Sequence, residues 1–166
     1  DGTDCFETPL HATYTNRVFP LVTLTSSIAN NNSAGAMEFM GGNIVTALPP
    51  TAEDITSLRI KLFARCSSYS LANAGTIEIG YLTNVADQDS FVTLDTLPYM
   101  GQNRYDMFMY SFAAAEAGSR MAIRYTSSYT TTSWYFDDIE IDYIPSCPGP
   151  EYTSLTAEVR YDNEYY

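Results

Sequence analysis

Two adjacent carboxylates, Asp137 and Asp138, lie inside the apolar run Trp134-Tyr135-Phe136-Asp137-Asp138-Ile139-Glu140-Ile141, which reads as a strand. Successive side chains of a strand point to opposite faces, so one of the two acids is turned inward, where a carboxylate is costly without a partner. A hard cation is such a partner. Calcium takes about six to eight oxygens, which carboxylates and backbone carbonyls at strand ends supply. Asp138 is the favoured ligand of the two, and solvated acids at a sheet rim are the plain alternative. Other chemistry is sparse. Cys5, Cys66 and Cys147 form no C-x-x-C pair and have only His11 to join them, which argues against zinc. His11 stands among Pro9, Leu10 and Ala12 with no Gly-x-Ser-x-Gly turn nearby, and reads as a surface loop. Cys66 alternates with Ala64 and reads as a buried free thiol. Asp1 to Asp4 and Asp87-Gln88-Asp89 are oxygen-rich but lack the spacing of an EF-hand loop, so they read as solvated loops.

Paired carboxylates facing a sugar groove would make a glycoside hydrolase. The available acids are Glu38, Glu78, Asp95 and Asp106; they are dispersed, and no strand carries Glu-x-Asp-x-x-Glu. No catalytic residue is therefore expected. Binding of a neutral glycan is better supplied, because rings stack on the C–H faces of sugars while Asn, Asp, Gln and Arg meet the hydroxyls. Tyr69, Tyr99, Tyr129 and Trp134 lie in or beside Ser-, Asn- or Thr-rich loops. Packing is the competing reading for each, most strongly for Trp134, which opens a strand.

The elements that must position these residues are strands. Nine runs read as such: 19–25, 35–40, 43–48, 57–65, 76–82, 91–94, 105–112, 120–125 and 134–144. Leu58-Arg59-Ile60-Lys61-Leu62 alternates apolar and basic residues, and Thr76-Ile77-Glu78-Ile79 does the same with a carboxylate, giving one core face and one wet face. Met40-Gly41-Gly42-Asn43 reads as a tight hairpin. The stretch from Thr51 reads as a short helical turn, with Asp54 at the capping offset, or as a polar corner. Ala113 to Ala117 is closed by Gly118 and reads as a loop between strands. Short strands without a long helical period predict an all-β, antiparallel two-sheet β-sandwich of the jelly-roll class.

A chain of 166 residues makes one domain with a short appendage. Eight Lys and Arg against twenty Asp and Glu give a net charge of −12, and only 17 % of residues are charged. Nucleic acid is excluded as a partner by the lack of clustered cations, since Lys61 is the single lysine and the arginines are scattered. Anionic membrane is a poor partner for the same reason, and no run approaches the roughly 20 apolar residues of a membrane span. Asp1-Gly2-Thr3-Asp4 is not a signal peptide, so any export signal would lie outside this chain. Composition shifts after Cys147. Residues 1–147 are read as the sandwich and 148–166 as a linker and the truncated first strand of a following module, because Pro148-Gly149-Pro150 cannot continue a ladder.

Asp4-Cys5-Phe6-Glu7 at the start, with Trp134 to Ile141 and Pro145-Ser146-Cys147-Pro148 at the end, resembles the MAM and cleaved-adhesin group of jelly-roll modules in bacterial surface proteins. Gly75 to Thr83 leading to Asp89 to Leu94 looks like the central hairpin of bacterial members, and Pro148 to Tyr161 looks like the entry of a fibronectin type III module. The resemblance covers roughly residues 3 to 147. It implies a noncatalytic adhesion or carbohydrate-binding module, secreted or at the cell surface, with a glycan or a host or cell-surface protein as partner and adjacent domains in the same polypeptide. It also implies a structural calcium where the first and last strands meet, held by Glu7 with Asp138 or Asp137. A disulfide between Cys5 and Cys147 is attractive in this fold because each flanks a terminal strand. Pairing Glu7 against Asp138 would not also place the two cysteines opposite each other, so the bridge would need an irregular C-terminal segment. A purely structural spacer is the alternative function.

Overall fold

The computed structural model describes residues 22–25, 30, 35–129 and 131–145. Nine strands are present among them: β1 (Val22–Thr25), β2 (Ala36–Met40), β3 (Gly42–Ala47), β4 (Leu58–Cys66), β5 (Thr76–Leu82), β6 (Phe91–Thr96), β7 (Asp106–Ser111), β8 (Arg120–Ser127) and β9 (Ser133–Tyr143). They form a five-stranded sheet in the order β1-β2-β9-β4-β7 and a four-stranded sheet in the order β3-β8-β5-β6, with every pairing antiparallel. The expected two-sheet antiparallel sandwich is the observed fold.

Alternation along the strands explains the layering. On β4, Leu58, Ile60, Leu62, Ala64 and Cys66 are buried and the residues between them are half-exposed. They meet Phe39, Ile77, Ile79, Ile123, Tyr125, Trp134 and Phe136 in one core between the sheets. Each fully buried Ile, Leu or Phe contributes about 1.5–3 kcal/mol by leaving water. The buried thiol of Cys66 belongs to this core, and burial pushes its pKa up.

Two local expectations are corrected. Met40-Gly41-Gly42-Asn43 does not close a hairpin, because β2 pairs with β9 and β3 pairs with β8. Gly41 (φ 61°) and Gly42 (φ 95°) instead turn the chain from one sheet to the other. Glycine tolerates this left-handed backbone, and that local signal is common to hairpins and to strands that change sheet. The helical turn starts at Ile55, not Thr51: Ile55–Ser57 is a single 3-10 turn with Asp54 as its cap, accepting the Thr56 N–H at 2.9 Å. The stretch from Ala113 to Ala117 is a loop, as expected.

One end of the sandwich, here the upper end, gathers the loops after β2, β4, β6 and β8; the lower end gathers those after β3, β5 and β7.

Candidate functional site

The outward face of the five-stranded sheet carries one row of polar and aromatic side chains near the upper end. Glu38 on β2 stands opposite Tyr135 on β9, and Tyr135 stands opposite Arg65 on β4. Tyr105, just before β7, completes the row. The Arg65 guanidinium carbon lies 5.7 Å from the Tyr135 ring centroid and 5.9 Å from that of Tyr105, and its Nη2 donates to Asn103 Oδ1 at 2.7 Å. Two rings and one amide fix the guanidinium while engaging one of its five N–H donors. Its Nε is buried with no hydrogen-bond partner. Burial, reinforced by the Asp137 charge, pushes the Tyr105 phenol up to about 12, so this ring stays neutral at ordinary pH. Burial also raises Tyr135.

Below the row, Asp137 and Asp138 come together in an unexpected way. The β4–β9 register shifts between Lys61 and Phe63, so one extra β9 residue is accommodated, and Asp138 adopts φ 47°. A bulge of this kind interrupts strict alternation. Asp137 Oδ2 accepts the Asn30 backbone N–H at 2.7 Å, while Asp138 Oδ2 accepts from the Asn30 side-chain amide at 3.0 Å. Neither acid enters the core, which takes Phe136 and Ile139 instead. The more buried acid is Asp137, at 7 % exposure, and not the favoured Asp138. Asp137 Oδ1 also accepts the Asp138 N–H at 2.8 Å, so both of its oxygens are partnered within the chain. Among the described residues no group of three His, Cys, Asp or Glu side chains assembles. These residues thus offer a hard cation two carboxylates, and Glu7 lies outside them, as do Cys5, Cys147 and His11.

The expected stacking residues separate by environment. Tyr69, in the loop after β4, is 87 % exposed, and Tyr129, in the loop after β8, is 44 % exposed; both lie at the upper end. Tyr99 reaches that end too, but packs against the core and donates its hydroxyl to Ser68 O at 2.8 Å, so it braces the loop. Trp134 is a core residue: it is 2 % exposed, stacks with Phe136 and donates Nε1–H to Ala74 O at 2.8 Å. Its packing reading is the correct one, because β9 turns Trp134 inward and Tyr135 outward.

The four acids weighed for hydrolysis are divided between the sheets. Glu38 on β2 and Asp106 on β7 are three strand spacings apart, roughly 14 Å, beyond the roughly 9.5 Å that an inverting pair spans. Glu78 on β5 is held by Arg124 at 2.6 and 2.8 Å, and Asp95 on β6 stands opposite Ile79, a core position.

Arg65, Tyr105 and Tyr135 were not singled out by sequence reasoning. Their signal was present in the wet face of β4 and in the alternation of Trp134, Tyr135 and Phe136. Which outward residues become neighbours depends on strand order.

Fold and site together define a two-sheet antiparallel β-sandwich with an aromatic and arginine row on one outer face. No family model matches the sequence, and no curated protein does. Among solved structures the chain is similar to a Family 16 Carbohydrate Binding Module-2 at 12 % identity and TM-score 0.47, covering 74 % of this chain and 85 % of that one. It is similar to the CBM22-1 xylan-binding domain from Paenibacillus barcinonensis Xyn10C at 11 % identity and TM-score 0.49, covering 76 % and 82 %. A third, TmCBM61 in complex with β-1,4-galactotriose, has 9 % identity and TM-score 0.46, covering 75 % and 83 %. The architecture stands on the strand pairing itself.

Proposed function

We propose that this domain is a noncatalytic carbohydrate-binding module that takes a neutral glycan across the upper part of the five-stranded sheet. The observation that carries the reading is Arg65: a guanidinium oriented by Tyr105, Tyr135 and Asn103 whose remaining donors are not engaged by the described residues. A guanidinium held in place, with Tyr135 at 7 % exposure acting as its support, suits hydroxyl oxygens, and its preorganisation reduces the ordering cost of binding. Exposed Tyr69 and Tyr129 extend the surface at the rim. The test is calorimetry against a panel of neutral oligosaccharides, with Arg65→Ala weakening binding by about tenfold or more. Failure of the unaltered domain to bind any glycan of the panel overturns the reading and leaves a structural spacer.

The same proposal places the module in a secreted or cell-surface protein of the MAM and cleaved-adhesin kind, with adjacent domains and an adhesive role. Among the described residues no helix is long and apolar enough to cross a membrane. Calcium enters as a structural cation held by Asp137, Asp138 and Glu7, supported by the bulge that brings the first two carboxylates to one point. Binding to the native state raises Tm, so EDTA lowers Tm in the unaltered domain and leaves Asp137→Asn unmoved. An EDTA-insensitive melt in calcium-supplied protein removes the cation from the proposal.

A further inference from the structure

At the lower end, the corner after β3 lines two depressions at once through Thr51, Ala52 and Glu53. One holds about 260 Å³ and is bounded by Leu58, Ile141 and Tyr143. The other holds about 380 Å³, with Ile55, Leu82 and Val85 as apolar lining and Ser119 and Arg120 among its polar lining. The larger volume falls in the range of small-ligand sites, roughly 300–1,000 Å³.

The corner is built to hold its shape. Asp54 Oδ1 accepts from the Thr56 N–H and hydroxyl, and Oδ2 accepts the Gly118 N–H at 2.7 Å, tying the β3–β4 connection to the β7–β8 loop. Arg120 Nε–H donates to Leu48 O and closes the same wall. Asp54 is thereby consumed by structure. Glu53, its neighbour, makes no side-chain hydrogen bond or ion pair with any described residue, and it stands where the two depressions meet. Tyr143 is 57 % exposed beside it, and the hydroxyls of Thr83 and Ser119 are likewise uncommitted.

We infer that the lower end carries a second glycan site, with Tyr143 as the ring platform and Glu53 as the central hydroxyl acceptor. An apolar wall, an exposed ring and unengaged acceptors match the two faces of a sugar. The unpaired Glu53, on a chain of net charge −12, selects neutral over acidic glycans. For its ligand class this inference rests on the carbohydrate-binding reading, but its residues are separate from the Arg65 row. Arg65 and Leu58, the β4 partner of Tyr143, are seven residues apart along β4, so the two sites lie roughly 23 Å apart. A module of that geometry joins two chains or two points of one polysaccharide, gaining avidity without new contacts.

The experiment is an amide chemical-shift titration with cellohexaose, xylohexaose and β-1,4-galactotriose, run on the unaltered domain, Arg65→Ala and the double variant Glu53→Ala/Tyr143→Ala. The lower-end amides of Ala52, Glu53, Val85, Ser119 and Tyr143 shift with at least one sugar in the first two proteins and stay fixed in the double variant. Retention on the insoluble polysaccharide of the binding sugar falls about tenfold or more in the double variant. The altered side chains are exposed, and an unchanged melt confirms that folding is preserved. Shifts confined to the upper end at millimolar sugar overturn the second site alone. Absence of shifts at both ends overturns both sites.

Discussion

Two arginines on the two outer faces of the sandwich have been put to opposite uses. Arg124, on β8, stands directly opposite Glu78 and is engaged through Nε and Nη2; Nη2 also donates to Thr93 at 3.0 Å, and the guanidinium carbon lies 4.4 Å from the Phe91 ring centroid. Arg65 has rings on two sides and one engaged donor. The first closes a network within the four-stranded sheet, and the second is held in place with capacity left over. Orientation with donors left over is what a binding residue needs, whereas an ion pair closed within its own sheet marks a structural one.

The contrast breaks most severely at Gly80→Ala. A Cβ there meets Val92 O at 2.0 Å and Phe91 Cζ at 2.7 Å, both from β6, so that strand must move and the Arg124 network with it. We expect a loss of about 3 kcal/mol or more by denaturant unfolding, since backbone cannot yield as a flexible side chain does. A smaller effect is expected for Arg124→Ala. It leaves Glu78 largely buried without its partner and should cost about 1–2 kcal/mol in the same assay, with glycan affinity unchanged. Arg65→Ala reverses that pattern: stability falls by less than about 1 kcal/mol while glycan binding weakens by about tenfold. Equal losses of stability and binding in both variants would erase the distinction.

Titration sharpens it further. The Arg124 hydrogen bonds hold the Glu78 carboxyl below its ordinary value of 4.5 despite burial, so its stabilisation is complete above that pH and is lost as pH falls through the lower folded value. Stability measured from pH 5 downward should fall less steeply in Arg124→Ala. Tyr105, raised to about 12 from 10, behaves in the opposite sense: its contribution is intact below pH 10 and disappears as pH climbs toward 12. Arg65 favours the phenolate, so Arg65→Ala should move the ultraviolet titration of Tyr105 still higher. No movement would place the guanidinium away from that ring.

Strands were legible because their pattern is local. The alternation in Leu58–Leu62 and Thr76–Ile79 announced which residues face the core, and β4 and β5 follow it. The Gly41-Gly42 corner was legible as a turn but not as a change of sheet, since its backbone conformation suits both outcomes. Asp138 was misplaced for a related reason: alternation holds until a bulge adds a residue, and the bulge is defined only against the facing strand β4. The Tyr135–Arg65 pair joins residues 70 positions apart, and no spacing rule connects them.

Local pattern and composition were enough to make this chain an all-β sandwich with a core of alternating apolar residues, poor in cations and supplied with tyrosines for its surface. Periodicity and composition are properties of neighbours along the chain, so they can be read in one dimension. Tertiary structure alone decided which outward residues met: that Tyr135 and Tyr105 would hold Arg65, that Trp134 would be spent on the core, and that Asp137 and Asp138 would converge on Asn30. Strand order and register settle those encounters, and both follow from the burial of two whole faces against each other rather than from any short segment.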